Sequence, residues 1–267
     1  MQTKYESNNA AVYHLAEGKQ QTIDRIELNQ KDAVIENKEL FGEICHVYEG
    51  KVKIVYKDGE AEKEAILSEG DSISNFGQNI MKISSNSDVP AKIISVSRII
   101  PEKTKTALFV ETKKTENKPS FIRRKADRAK FETPETGETV FEMIGRGDDA
   151  GNSDDLSVAL AVFPAGIGNR SPEHRHPVAG ECAAINNLPY EESYIILQGE
   201  GEMRLGDTEP FKVKAGDVVI IPPGENHQVI NQSNEVDLLV DAGSQPGFHY
   251  LAKLDPKPRA NASLKSK

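Results

Sequence analysis

The sequence contains no tryptophan and only two cysteines, Cys45 and Cys182. Two cysteines in a chain of 267 residues do not make a disulfide framework. Both are expected to be reduced thiols, which places the chain in the cytoplasm. No apolar run approaches the roughly 18 residues of a membrane-crossing helix, so no membrane association is expected. The first fifteen residues lack the apolar stretch of a secretory signal. A basic excess is missing too. The formal net charge is −9 and the sequence pI is about 5.3, which argues against nucleic acid and anionic membrane surfaces as partners. The apolar fraction is 37%, low but enough for compact β domains.

What the chain does have is concentrated between Gly168 and Asn231. The stretch opens with Gly168, then His174 and His176 separated by one residue. It continues with Glu192-Ser-Tyr194-Ile-Ile-Leu-Gln198-Gly199. It closes with Gly216, Pro222-Pro-Gly224, His227 and Asn231. Residues i and i+2 of a strand leave the same face, so a β conformation puts His174 and His176 together. The same alternation puts Glu192, Tyr194 and Gln198 on one face of the next strand and turns Glu191 the other way. The Pro-Pro-Gly turn ends the run 218–221 and brings His227 round to point inward. Neutral imidazoles and one carboxylate form a donor set for a divalent metal, and a small barrel places all four on its interior wall.

These residues resemble the two motifs of the cupin superfamily. Gly168, His174, His176, Glu192 and Gly199 fill the first, and Gly216, Pro222, Gly224, His227 and Asn231 fill the second without a gap. The first motif departs from the family pattern in one respect. The family places three or four residues between the second His and the Glu, whereas fifteen separate His176 from Glu192 here. The excess is read as a loop, residues 177–190, inserted beside the metal and expected to act as a lid. The resemblance implies an all-β fold of jelly-roll barrels. It also implies one divalent transition metal held by His174, His176, Glu192 and His227, with iron, manganese, zinc and nickel all accommodated.

The rest of the chain reads as a second copy of the same plan. Residues 23–28, 41–48, 51–56, 65–67, 80–83 and 91–99 are short β-type runs, and Asp58-Gly59 signals a hairpin. Glu43 to Gly50 aligns with Glu192 to Gly199, and Gly70-Asp71 aligns with Gly216-Asp217. The first copy has no histidines where the metal needs them. Glu43 is therefore expected to be structural, and His46 falls on the opposite face. The chain is accordingly divided into a lead-in (1–19, with a candidate edge strand at 10–15), a metal-free barrel (20–100), a linker (101–119), a metal-binding barrel (120–254) and a tail (255–267). The basic cluster Arg123, Arg124, Lys125, Arg128 and Lys130 is expected to form a solvated face or ion pairs. Residues 104–111, 139–144, 156–163 and 236–240 are further strand candidates, with an acidic, Gly-rich loop at 145–155.

The expected activity is that of a metal-dependent enzyme on a small polar metabolite. Fe(II)-dependent dioxygenation comes first, a redox-neutral lyase or isomerase second, and a non-catalytic ligand-binding or sensor protein third. Tyr194 is the candidate acid/base, and Gln198 and Arg170 are candidate substrate contacts. The small-molecule substrate is the expected partner, and a homodimer through edge strands is compatible with the fold.

Overall fold

The computed structural model describes residues 2–7, 9–75, 78–99, 121–144, 156–176 and 191–244. The expectations for the linker with its strand at 104–111, the loop 145–155, the lid 177–190 with Cys182, and the tail lie outside the described residues. The chain divides into two compact units, the first ending at Arg128 and the second beginning at Ala129. Both are built almost wholly of antiparallel strands, as the all-β expectation requires. Among the described residues, the helical content is two 3₁₀ turns, and no helix is long and apolar enough to cross a membrane.

The first unit contains β1 (Gln2–Ser7), β2 (Ala10–Glu17), β3 (Gln21–Leu28), β4 (Val34–Ile35), β5 (Ile44–Glu49) and β6 (Lys51–Asp58). It continues with β7 (Ala61–Ser68), β8 (Ser72–Ser74), β9 (Ile80–Ser85), β10 (Ala91–Arg98) and β11 (Ile122–Arg123). One sheet has the order β1-β2-β3-β10-β5-β8-β11 and the other β4-β9-β6-β7. Val12, Ile26, Leu28, Val47, Ile54, Ile73 and Ile93 face one another in a sealed core. The hairpin expected at Asp58-Gly59 joins β6 to β7, with Asp58 opposite Ala61. Gly59 has a φ of 63°, the positive value that two-residue hairpin turns demand.

Two boundaries differ from the sequence reading. Residues 1–19 are no lead-in: β1 and β2 extend the main sheet, and β2 lies inside it rather than at its edge because Ala10, Ala11 and Val12 are buried. Residues 121–128 belong to the first unit, because β11 pairs with β8. Arg124 Nη1 donates to Asp71 Oδ2 at 2.8 Å, and the Lys125 N–H donates to Asp71 Oδ1 at 2.8 Å. Within the basic cluster, Arg124 is thus ion-paired inside this unit, Arg123 and Arg128 donate to backbone carbonyls, and Lys130, on the second unit, pairs with Glu132.

The second unit contains β12 (Ala129–Thr133), β13 (Glu138–Ile144), β14 (Ser157–Phe163), β15 (Glu192–Gln198) and β16 (Glu200–Leu205). It ends with β17 (Phe211–Lys214), β18 (Val218–Ile221), β19 (His227–Asn231) and β20 (Leu238–Ser244). Its sheets have the orders β12-β13-β14-β20-β15-β18 and β17-β16-β19.

The internal repeat holds at the level of individual hydrogen bonds. Cys45 lies opposite Ile73 on β8, and Tyr194 lies opposite Val219 on β18, the same register in both copies. The Gly70 N–H donates to the Val47 carbonyl at 2.7 Å, and the Gly216 N–H to the Ile196 carbonyl at 2.8 Å. These glycines have φ of 88° and 95°, a conformation that disfavours any side chain. The carboxylates of Asp71 and Asp217 close their turns alike, accepting from the backbone N–H groups of Ser68 and Lys214.

Candidate metal centre

Three of the four donors are set by one backbone arrangement. The segment before residue 177 runs antiparallel to β19. Ser171 N–H donates to the Val229 carbonyl at 3.0 Å, and His174 and His227 exchange backbone hydrogen bonds at 3.1 and 2.8 Å. That pairing aims two imidazoles into one space, with ring centroids 4.2 Å apart. The Gly224 N–H donates to the His176 carbonyl at 3.1 Å, which ties the Pro-Pro-Gly turn to the third histidine. The turn has a Glu225 N–H to Pro222 carbonyl bond and a φ of 82° at Gly224. This is a type II turn with Pro at its second position and Gly at its third. Glu192 enters from β15.

The ligand atoms of His174, His176, Glu192 and His227 all lie within 4.8 Å of one another. Nε2 of His176 and Nε2 of His227 each approach Glu192 Oε2 at 2.8 Å. Around an ion about 2.1 Å from each donor, neighbouring donors at right angles are about 3 Å apart and opposite donors about 4.2 Å. The two 2.8 Å approaches match neighbouring donors, and the outer bound of 4.8 Å is slightly wider than opposite donors around such an ion.

The tautomers fit as well. His174 Nδ1 is 2.8 Å from the Pro172 carbonyl and His227 Nδ1 is 3.0 Å from the Glu225 carbonyl. A carbonyl only accepts, so both Nδ1 atoms carry the proton, and both Nε2 lone pairs face the cluster. In neutral His227 that lone pair lies against a carboxylate oxygen. Such a contact calls for a cation between them.

The electrostatics favour a neutral His174 and an ionised Glu192. Burial pushes the His174 imidazole down to about 3, and His227 beside it adds to the effect. Burial alone would raise the Glu192 carboxyl, but His176 and His227 outweigh it and hold it well below the usual range. For these two residues, those are the protonation states that metal ligands need.

Tyr194 lies beside the cluster, as its spacing from Glu192 leads one to expect. Its ring is edge-on to His227 at 5.6 Å, and it is buried. Gln198 and Arg170 are not brought to the site. A bulge between Ile196 and Gln198 interrupts the alternation along β15. Gln198 is therefore exposed and donates to the Asp237 carbonyl. Arg170 bridges to Ile230 and is exposed, with Nη1 donating to the Gly168 carbonyl at 3.0 Å. One residue escaped the sequence reading. Glu142 is a buried carboxylate on β13, two residues from inward Val140 and opposite Ala159. A lone acid in the apolar run Thr-Val-Phe-Glu-Met-Ile was the available signal.

In the first unit the position of Glu192 is taken by Glu43, whose carboxylate receives Nε and Nη2 of Arg98 at 2.7 and 2.9 Å. Cys45 stands where Tyr194 stands. It is free and fully buried, and burial pushes its thiol up to about 12.

Residues 188–241 match the family model described as "Cupin domain". A crystal structure of Lactobacillus farciminis oxalate decarboxylase in complex with formate superposes with a TM-score of 0.65 at 13% identity, covering 99% of this chain and 91% of that one. The second unit thus carries a cupin domain, and the chain as a whole shares the fold of that structure. Bacillus subtilis oxalate decarboxylase at pH 4.6 gives a TM-score of 0.62 at 14% identity, covering 99% of this chain and 81% of that one. Hazelnut (Corylus avellana) vicilin gives 0.63 at 10%, covering 91% and 82%. At these identities the likeness concerns the fold. An uncharacterized protein of Methanocaldococcus jannaschii is 35% identical over 94 residues, 35% of this chain and 63% of that relative. The match therefore spans less than two thirds of the relative's length.

Proposed function

We propose that the second barrel is the active site of a metal-dependent enzyme acting on a small molecule. His174, His176, Glu192 and His227 hold one divalent transition metal. The observation that carries this reading is the convergence of Nε2 of His176 and of His227 on one Glu192 oxygen at 2.8 Å, with Nδ1 of His174 and of His227 directed to backbone carbonyls. A metal held by these four residues would supply Lewis acidity or, if redox-active, electrons for oxygen chemistry. The protein contributes a fixed donor geometry and Tyr194, placed to give or take a proton.

With iron bound, the reading is Fe(II)-dependent dioxygenation. A redox-neutral lyase reaction is the second reading. It is supported by Tyr194 as an acid/base group beside the cluster and by the fold shared with two oxalate decarboxylases. The test is elemental mass spectrometry of protein purified without added metal, alongside His227→Ala. About one equivalent of metal, lost in the variant, is expected. Oxygen consumption during turnover separates the two reactions. Absence of metal in both proteins, even after reconstitution, refutes the site. A metal-loaded protein with no turnover across candidate substrates favours a ligand-binding role instead.

A further inference from the structure

The main sheets of the two barrels differ at one edge. In the first unit β8 is covered by β11. Ile122 lies opposite Ile73 and Arg123 opposite Ser72, and the Ser74 N–H donates to the Phe121 carbonyl at 2.9 Å. In the second unit β18, the counterpart of β8, ends its sheet. Among the described residues no strand pairs with its outer side. An open edge presents a row of backbone N–H and C=O groups and is a template for another strand.

The turn beside that edge is occupied in the first unit and open in the second. A Cβ on Gly70 would meet the side chains of Lys125 and Arg128 at 2.6 and 2.7 Å, whereas a Cβ on Gly216 would have nothing within 4 Å. Asp71 accepts from the Ser68 N–H, the Lys125 N–H and Arg124 Nη1. Among the described residues, the Asp217 side chain keeps only the first of these bonds, from the Lys214 N–H. Ser72, Ile73 and Ser74 are all buried, whereas Val218 and Ile220 are half-buried and Gly216 is exposed. The second unit thus carries the same receiving edge and the same receiving carboxylate, with nothing described on either.

The segment that fills the first edge is Phe121-Ile122-Arg123-Arg124, an aromatic, an aliphatic, any residue and a cation. That order occurs at one other place in the chain, Tyr250-Leu251-Ala252-Lys253. This segment follows β20 as Phe121 follows β10, the equivalent strand. It can reach the edge. Strands β20, β15 and β18 lie side by side. Ser193 lies opposite both Gly243 and Ile220, which puts the ends of β20 and β18 at one end of the sheet. An antiparallel strand outside β18 starts at that same end, three strand spacings or about 14 Å from β20. The residues 245–249 span up to about 17 Å. Residues 245–267 also carry five lysines and arginines against one aspartate, in a chain of net charge −9, so charge favours their approach to Asp217.

We propose that residues 250–253, which lie outside the described residues, dock on the outer edge of β18 as a short antiparallel strand. Leu251 lies opposite Val219, and Lys253 pairs with Asp217. Tyr250 and Ala252 then stand beside Ile220 and Val218, where contact between an aromatic ring and a β-branched side chain supports the pairing. The occupant of the edge is this chain's own tail.

The test is hydrogen exchange of the full-length protein by NMR, read at the Ile220 amide, which holds the position of the Ser74 amide. Wild type is compared with Lys253→Glu and with a chain ending at Ser244. The Ile220 amide is expected to exchange at least tenfold faster in the shortened chain and at least threefold faster in Lys253→Glu. Adding Asp217→Lys to Lys253→Glu is expected to bring exchange back within about twofold of wild type. Wild type alone gives a second reading, a nuclear Overhauser contact between the methyl groups of Leu251 and Val219. Absence of that contact overturns the proposal, and so does an Ile220 amide that exchanges equally fast in wild type and the shortened chain. Protection that appears only as protein concentration is raised assigns the edge to a second copy and overturns it as well.

Discussion

Asn231, the last residue of the second motif, is a buried fastener and not a ligand. Its side chain is fully buried. Nδ2 lies 3.0, 3.0 and 3.1 Å from the carbonyls of Phe163, Pro164 and Val236, and Oδ1 accepts from the Ser233 N–H at 2.8 Å. One side chain thus joins the end of β14 to the turn between β19 and β20. Asn231→Ala removes both donors and the acceptor. Each lost hydrogen bond costs about 1 kcal/mol net, and more where a buried carbonyl is left without a donor. The expected loss is about 3 kcal/mol. At roughly 4 °C per kcal/mol for a domain of this size, the second unit should melt about 12 °C lower. Asn231→Asp is the sharper probe, because a carboxylate accepts from Ser233 but offers nothing to three carbonyls. It should destabilise at least as much as alanine. Scanning calorimetry of the full chain, with the second unit's transition identified by its shift on adding metal, reads both. A shift below about 3 °C in either variant refutes this account of the residue.

Tyr194→Phe should keep metal content and lower turnover by about 10²-fold, the lower end of acid/base effects; unchanged turnover would remove Tyr194 from the chemistry. Glu192→Gln keeps the shape but loses the charge that faces two imidazoles, so metal affinity should fall at least tenfold by competitive chelator titration. Glu43→Gln breaks the paired contact with Arg98 in the first barrel; it should lower that unit's melting temperature by several degrees and leave metal content unchanged. Asp71 has its carboxyl below the usual range: burial acts against this, and the bonds from Ser68, Lys125 and Arg124 outweigh burial. A carboxyl with a folded pKa below its unfolded value stabilises fully above about 3.9 and loses that contribution as pH falls through the folded pKa. Wild type should therefore lose more stability than Asp71→Asn between pH 5 and pH 3, measured by urea unfolding.

Much of the fold was legible because glycines at obligatory positive φ mark the repeat. Gly50 and Gly199 share this conformation, as do Gly70 and Gly216, and spacing alone aligned them. The convergence of the four donors was legible for a similar reason. Strand alternation from Glu192 to Tyr194 survives intact, and the Pro-Pro-Gly turn dictates where His227 emerges. Gln198 was misplaced because alternation was carried through a bulge, which leaves no compositional mark in Ile-Ile-Leu-Gln. Arg170 was misplaced because proximity in sequence to His174 says nothing of the face it takes opposite Ile230. The first strand was missed because Gln2–Ser7 is largely exposed, and a polar edge strand reads like a tail; β2 was read as a strand at 10–15 but as an edge, because the strand that covers it was not seen.

The two barrels form a comparison within one chain. Equivalent turns close with the same hydrogen bonds at nearly the same lengths, so the backbone does not decide which barrel has the site. Side chains decide it. In the first barrel, Arg98 neutralises the acid at the Glu192 position, a buried thiol replaces the tyrosine, and Ile26 stands where the second barrel has Ala161. In the second barrel the acid faces two imidazoles instead. Both interiors bury polar groups, which is destabilising unless they are partnered: in the first barrel protein partners such as Lys4 and His14 on Asp24 offset that cost, and in the second a cation held by the four donors would offset it.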